Sequence, residues 1–156
     1  MSHRFRILAS AIVSGVAALS TGCTTIPDAD ASIFEIRAAS IDPIDGWTKS
    51  DRVIGGTPVW ISPDIVVDAS GIQTAEPILE DQDRNAVLIN LDDAATGTLL
   101  EFTTGWLSRP VAVFVDGQIV TTPILNTPLS RKFIFAGKKM TKEQAKDLAR
   151  RLRESD

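Results

Sequence analysis

Residues 109–125, RPVAVFVDGQIVTTPIL, decide how this chain folds. Two apolar runs rich in β-branched residues flank Asp116-Gly117, a pair that tolerates the positive φ angles of a two-residue type I′ turn. That turn twists as its flanking strands do, so the stretch predicts a β-hairpin with Asp116 and Gly117 at its tip. Pro123 interrupts the return strand and is tolerated mainly on an edge. The same end, around Ile119, Thr121 and Pro123, is either a protected edge or a place where an extended partner adds a strand.

Working outward, residues 86–91, AVLINL, read as a strand. Asp92 and Asp93 then supply an N-cap and a charge matched to a helix dipole. Ala95, Leu99, Phe102 and Trp106 recur at the spacing of one buried helical face, and Gly105 marks its stop. Gly97 costs that helix about 1 kcal/mol relative to alanine, so tertiary packing must hold it. Beyond the hairpin, residues 133–137, FIFAG, give a brief strand. Residues 141–153, TKEQAKDLARRLR, open with the capping box Thr141 and Gln144. Ala145, Leu148, Ala149 and Leu152 form the apolar stripe of this last helix, and Arg150, Arg151 and Arg153 read as a solvated final turn that suits its dipole.

The N-terminal half is less regular. Residues 33–39, IFEIRAA, alternate well enough for a strand. Residues 40–57 hold Pro43, Gly46, Gly55 and Gly56 and read as a loop whose Trp47 covers the edge of the core. Residues 58–61 and 65–67 read as two short strands split by a turn at Ser62-Pro63-Asp64. Asp68 or Ser70 can cap one helical turn before Pro77 stops it, and residues 80–85, EDQDRN, read as a charged connection.

Of the 156 residues, 44% are apolar and 23% charged, the balance of a globular protein. One cysteine, Cys23, excludes an internal disulfide or a cysteine-based metal framework. The first 23 residues, MSHRFRILASAIVSGVAALSTGC, join Arg4 and Arg6 to an apolar run and small residues, the pattern of a secretory signal. The run falls short of the roughly 20 residues a permanent span needs. Removing residues 1–22 takes Arg4 and Arg6 away, which turns 16 basic against 20 acidic residues into 14 against 20, a net charge of −6. An acidic domain is repelled by phosphates, so no nucleic acid partner is expected.

Leu19-Ser20-Thr21-Gly22-Cys23 resembles the lipobox of bacterial lipoproteins, with Ser20 where a large aliphatic residue is usual. The resemblance implies a signal peptide at 1–22, lipid on Cys23 and a tether at 23–32; an ordinary secreted protein with an idle thiol is the alternative. Thr24 and Thr25 follow the cysteine, and by likeness to the sorting rule of lipoproteins they mildly favour the outer membrane.

The domain at 33–156 resembles the head subdomain in the first periplasmic domain of SecD, a subunit of the bacterial preprotein translocase. Ala112, Asp116, Gly117 and Pro123 match that family's Ala-x-x-x-Asp-Gly-x-x-x-x-x-Pro hairpin. Asn90-Leu91, Phe102-Thr103, Gly137, Thr141, Glu143, Ala145 and Leu148 follow its order and spacing. Residues 126–132 replace a glycine-rich turn, and 137–141 is one residue longer than usual. The resemblance implies an α+β fold, a ferredoxin-like sheet with two main helices packed on one face. It also implies contact with unfolded polypeptide at the far side of a membrane. SecD couples export to a proton gradient through membrane helices, and no comparable apolar run follows the leader, so the pump itself is not expected.

Enzymatic chemistry has little to work with. The single histidine is His3, there is no tyrosine, and a lipidated Cys23 is no nucleophile. Asp92 with Asp93 reads as a cap, and Ser130 with Lys132 lacks an oxyanion hole or nucleophile elbow. No catalytic residue, metal or cofactor is expected. The reading is a lipid-anchored envelope protein that binds a protein partner, an unfolded client in export; the alternative is a structural or regulatory docking subunit of a membrane or transport complex.

Overall fold

The computed structural model describes residues 32–80, 84–137 and 139–155. The signal peptide, Cys23 and nearly all of the tether lie outside them, as does the middle of the connection at 80–85. Among the described residues, eight strands and two α-helices follow in the order β1 Phe34–Ser40, β2 Thr48–Ile54, β3 Thr57–Asp68, β4 Ile72–Glu80, β5 Arg84–Leu91, α1 Asp93–Gly105, β6 Val111–Val115, β7 Gln118–Thr121, β8 Lys132–Phe135 and α2 Lys142–Arg153. The class is α+β. The strands divide into an antiparallel five-stranded sheet, β2-β3-β1-β6-β7, and an antiparallel three-stranded one, β4-β5-β8.

One core lies between them. Phe34 and Ile36 of β1 and Val111 and Val113 of β6 face Val87, Ile89 and Leu91 of β5, with Leu99 of α1 and the α2 stripe Ala145, Leu148, Ala149 and Leu152 closing it. Both helices face this core; α2 lies on β4 and β5, while α1 meets β3. Phe34 meets Phe135 edge-on at 5.8 Å, which locks the small sheet against the large one. A second cluster, Ala39, Val59, Ile61 and Ala112 with Ile54, Phe114 and Ile119, occupies the other face of the large sheet. Alternation explains the split, because successive residues of β6 point to opposite faces.

Three expectations change. Residues 48–54, expected in a loop, form β2; it is an edge strand whose residues are mostly exposed, so no apolar alternation marks it in the sequence. The expected turn at Ser62-Pro63-Asp64 is instead a bulge within β3, where the pairing with β1 jumps from Arg37↔Ile65 to Ala39↔Ile61. A bulge is where a strand accommodates proline, and the Arg37 guanidinium donates to the Pro63 carbonyl at 3.2 Å. Pro77 does not end a helical turn. The turn is Ala69–Gly71, capped by Asp68, and β4 runs on through Pro77 as an edge strand.

Gly71 fixes how the sheets meet α1. Its carbonyl accepts from the Asp92 N–H at 3.0 Å, and a Cβ built on it would stand 2.5 Å from the Ala95 Cβ. Asp92 caps α1 by accepting from the Ala95 N–H at 2.7 Å, so the turn and the helix start form one tight corner. At the other end of α1, buried Thr103 donates to the Leu99 carbonyl at 2.7 Å and accepts from the Leu129 N–H at 3.0 Å. That hydroxyl pins the irregular segment 122–131 to the helix.

Candidate functional site

The β6–β7 hairpin has the turn its residues dictate: φ is +52° at Asp116 and +72° at Gly117, with Val115 paired to Gln118 across the tip. Both turn residues are exposed. The Asp116 carboxylate is held by the Arg151 guanidinium of α2 in a two-point contact, one arm of it 3.1 Å long. That bond is the main reason the Arg151 guanidinium lies above its ordinary pKa. The arginine turn of α2 is therefore only partly solvated: Arg151 ties the helix to the hairpin and also reaches Asp147 at 3.7 Å, Arg153 donates to the Ala75 carbonyl at 2.8 Å, and Arg150 pairs within the helix end, with Asp147 and Glu154.

β7 ends the five-stranded sheet, so one side of it carries no strand among the described residues. Ile119 and Thr121 lie within it, half-buried; Pro123 follows it, exposed, and its carbonyl accepts from the Val111 N–H at 3.0 Å. Ile124, 47% exposed, bridges Pro110 and prolongs the pairing. The three edge residues thus sit on one margin.

That margin has a hollow on each face. Toward α2 a pocket of about 430 Å³ is floored by Val115, Val120, Phe135, Met140 and Leu148. On the other face a cleft of about 810 Å³ runs between Phe114 and Ile119 on one wall and residues of β2, Lys49 and Arg52, on the other. Although β2 and β7 are the two ends of the sheet, the sheet coils enough for them to face each other across that cleft. Arg37 lies over the Phe114 ring at 5.3 Å and pairs at 2.7 Å with Glu35, which is only 5% exposed.

Sequence reasoning missed Arg52. The pairing of β2 with β3 slips between Lys49↔Trp60 and Val53↔Pro58, and the bulge, braced by the Arg52 N–H on the Ser50 hydroxyl at 3.0 Å, aims Arg52 across the cleft. Its guanidinium donates to the Ile119 main-chain carbonyl. No periodicity signals such a side chain; only the tertiary path of β2 does.

The other residues weighed for chemistry do structural work or stand apart. Asp92 is a cap and Asp93 pairs with Arg131. Ser130 and Lys132 are exposed, outside either hollow. Among the described residues no three of His, Cys, Asp or Glu come together to hold a metal ion, and no helix is long and apolar enough to cross a membrane. Trp47 lies 6.1 Å from Trp106, which stacks on Phe102 at 5.6 Å, and so extends the edge of the core.

No curated protein matches this sequence. Two of the solved chains that share the fold are similar over most of this chain. The chain resembles SecDF in its super-membrane-facing form with a TM-score of 0.62 at 15% identity, over 78% of this chain and 18% of that one. It resembles the membrane component SecDF that enhances protein export with a TM-score of 0.60 at 14% identity, over 78% of this chain and 62% of the other. It thus spans less than two thirds of either. The sequence model of the SecDF P1 head subdomain matches residues 47–155, which include the hairpin, both helices and, Arg37 apart, the residues that line the two hollows. The chain belongs to the SecDF P1 head subdomain family.

Proposed function

We propose that this protein is a non-catalytic lipoprotein of the bacterial cell envelope whose head domain binds protein in the service of export. The observation that carries the reading is the family match over residues 47–155, joined to an edge strand with a hollow on each face. A related structure is described as a membrane component that enhances protein export, and this reading gives the head domain the task of holding chains before they fold. An unpaired edge suits that task, since main-chain hydrogen bonds are indifferent to most of a client's sequence.

The anchor in this reading is lipid on Cys23. A diacylglycerol thioether brings two acyl chains at ~0.8 kcal/mol per buried methylene, enough for stable attachment. Cys23→Ser should leave the precursor unprocessed or the product unanchored. Fractionation with mass spectrometry checks it: wild-type protein wholly in the soluble fraction with an unmodified thiol contradicts the anchor. The binding role is tested by titrating the full chain with a secretory protein in its unfolded and its folded forms. Saturable binding of the unfolded form alone is expected, and binding of neither contradicts the role.

A further inference from the structure

We propose that the outer edge of β7 is a strand-addition site latched by Arg52, and that it takes an extended polypeptide segment alternating apolar and acidic side chains. The proposal rests on the protein-binding reading above and names how that binding occurs. In a two-residue hairpin the pair flanking the turn, Val115 and Gln118, exchanges hydrogen bonds, so the next residue, Ile119, directs its main-chain groups outward. An outward carbonyl is where the N–H of an added strand would donate. Arg52 supplies a donor there, reaching from the opposite end of the sheet. The guanidinium therefore stands in for a missing strand, and an incoming segment must displace it.

The two hollows define what that segment carries. Side chains of an added strand alternate between faces, and on β7 Ile119 belongs to the cleft-side cluster while Val120, the extra residue where the pairing with β6 slips, packs on the main core. A residue on the Val120 side meets the floor of Val115, Phe135, Met140 and Leu148, which suits an aliphatic side chain, while the charged residues that also line the pocket, Arg52 and Arg151 with Asp116 and Asp147, balance in sign. Its neighbour meets the cleft. There the Glu35 carboxylate is taken by Arg37, and Lys49 and Arg52 outnumber Asp51, so an acidic side chain is complementary. Arg52, once displaced from Ile119, remains beside that position to pair with it.

The test uses the purified full chain and short labelled peptides followed by fluorescence anisotropy. A peptide alternating valine and glutamate should bind at least tenfold more tightly than one alternating valine and lysine. Methylating its backbone nitrogens on the pairing edge, which spares every side chain, should abolish binding. Arg52→Ala opens the latch. A neutral valine–threonine peptide should then bind about three- to tenfold more tightly than to wild type, the equivalent of one solvent-exposed hydrogen bond no longer displaced. Unchanged melting of the variant separates this from misfolding. Equal binding of the methylated peptide, or Arg52→Ala that binds the neutral peptide no better, overturns the latched edge. So does concentration-dependent dimerisation of Arg52→Ala without peptide binding, which would assign the edge to a second copy. The parent reading fails separately: if the peptides behave as stated but an unfolded secretory protein does not bind, the edge stands and the export role falls.

Discussion

Replacing Gly71 by alanine adds one methyl group at the corner where the Ala69–Gly71 turn meets α1, and its effect is fixed by one distance. The new Cβ would stand 2.5 Å from the Ala95 Cβ, whereas carbons rest at ~3.5–4.0 Å. The corner must therefore open by about 1 Å, straining the 3.0 Å bond from the Asp92 N–H to the Gly71 carbonyl. Overpacking of a fixed site costs about 1–3 kcal/mol, and at roughly 4 °C per kcal/mol for a domain of this size the melting temperature should fall by about 4–12 °C. Ala95→Gly alone should cost about 1 kcal/mol from helix propensity. In the double variant that change instead relieves the contact, so the pair should be less destabilised than the sum by ~1–2 kcal/mol. Thermal and urea unfolding of the four proteins measure this. Additivity to within ~0.5 kcal/mol, or a Gly71→Ala protein that melts with the wild type, would refute the steric argument.

Thr103→Val keeps the side-chain shape but strands the Leu129 N–H, so about 1–3 kcal/mol should be lost, and amide exchange should rise at residues 122–131 before the rest of the domain opens. Gly117→Val forces a β-branched residue to a φ of +72° and should destabilise by about 1–3 kcal/mol in urea unfolding, with partner binding falling only as folding does. The hydrogen bond from Arg150 holds the Asp147 carboxyl below its ordinary 3.8. A depressed carboxylate contributes stability above its unfolded value, and that contribution is lost as pH falls through the folded one. Asp147→Asn should therefore flatten the acid limb of the stability profile below about pH 4, and a limb as steep as the wild type's would contradict the assignment.

Where local chemistry decides conformation, the residues announced the structure. Asp116-Gly117 carried the hairpin, Thr141 with Gln144 carried the start of α2, and Asp92 carried that of α1. Residues 48–54 did not announce β2, because an edge strand with mostly exposed side chains needs no apolar alternation. Ser62-Pro63-Asp64 looked like a turn, since a bulge and a turn draw on the same residue types and only pairing to β1 separates them. The candidate site was half legible. Proline after β7 pointed to the margin of the sheet, but the hollows on either side are made by residues far apart in sequence. Arg52 reaches its place only because β2 bulges and the sheet coils. Arg151 read as a solvated cation for the same reason, its partner Asp116 lying on a separate element.

An extended chain is expected to bind at the β7 margin. Backbone amide shifts, recorded while the full chain is titrated with an unfolded secretory protein, are the decisive readout. Shifts should concentrate at the amides of residues 118–122 and Ile124, and at Arg52 as its guanidinium leaves the Ile119 carbonyl. Saturating binding with these amides unmoved, and shifts gathered instead around Trp47 and Trp106, would contradict this expectation.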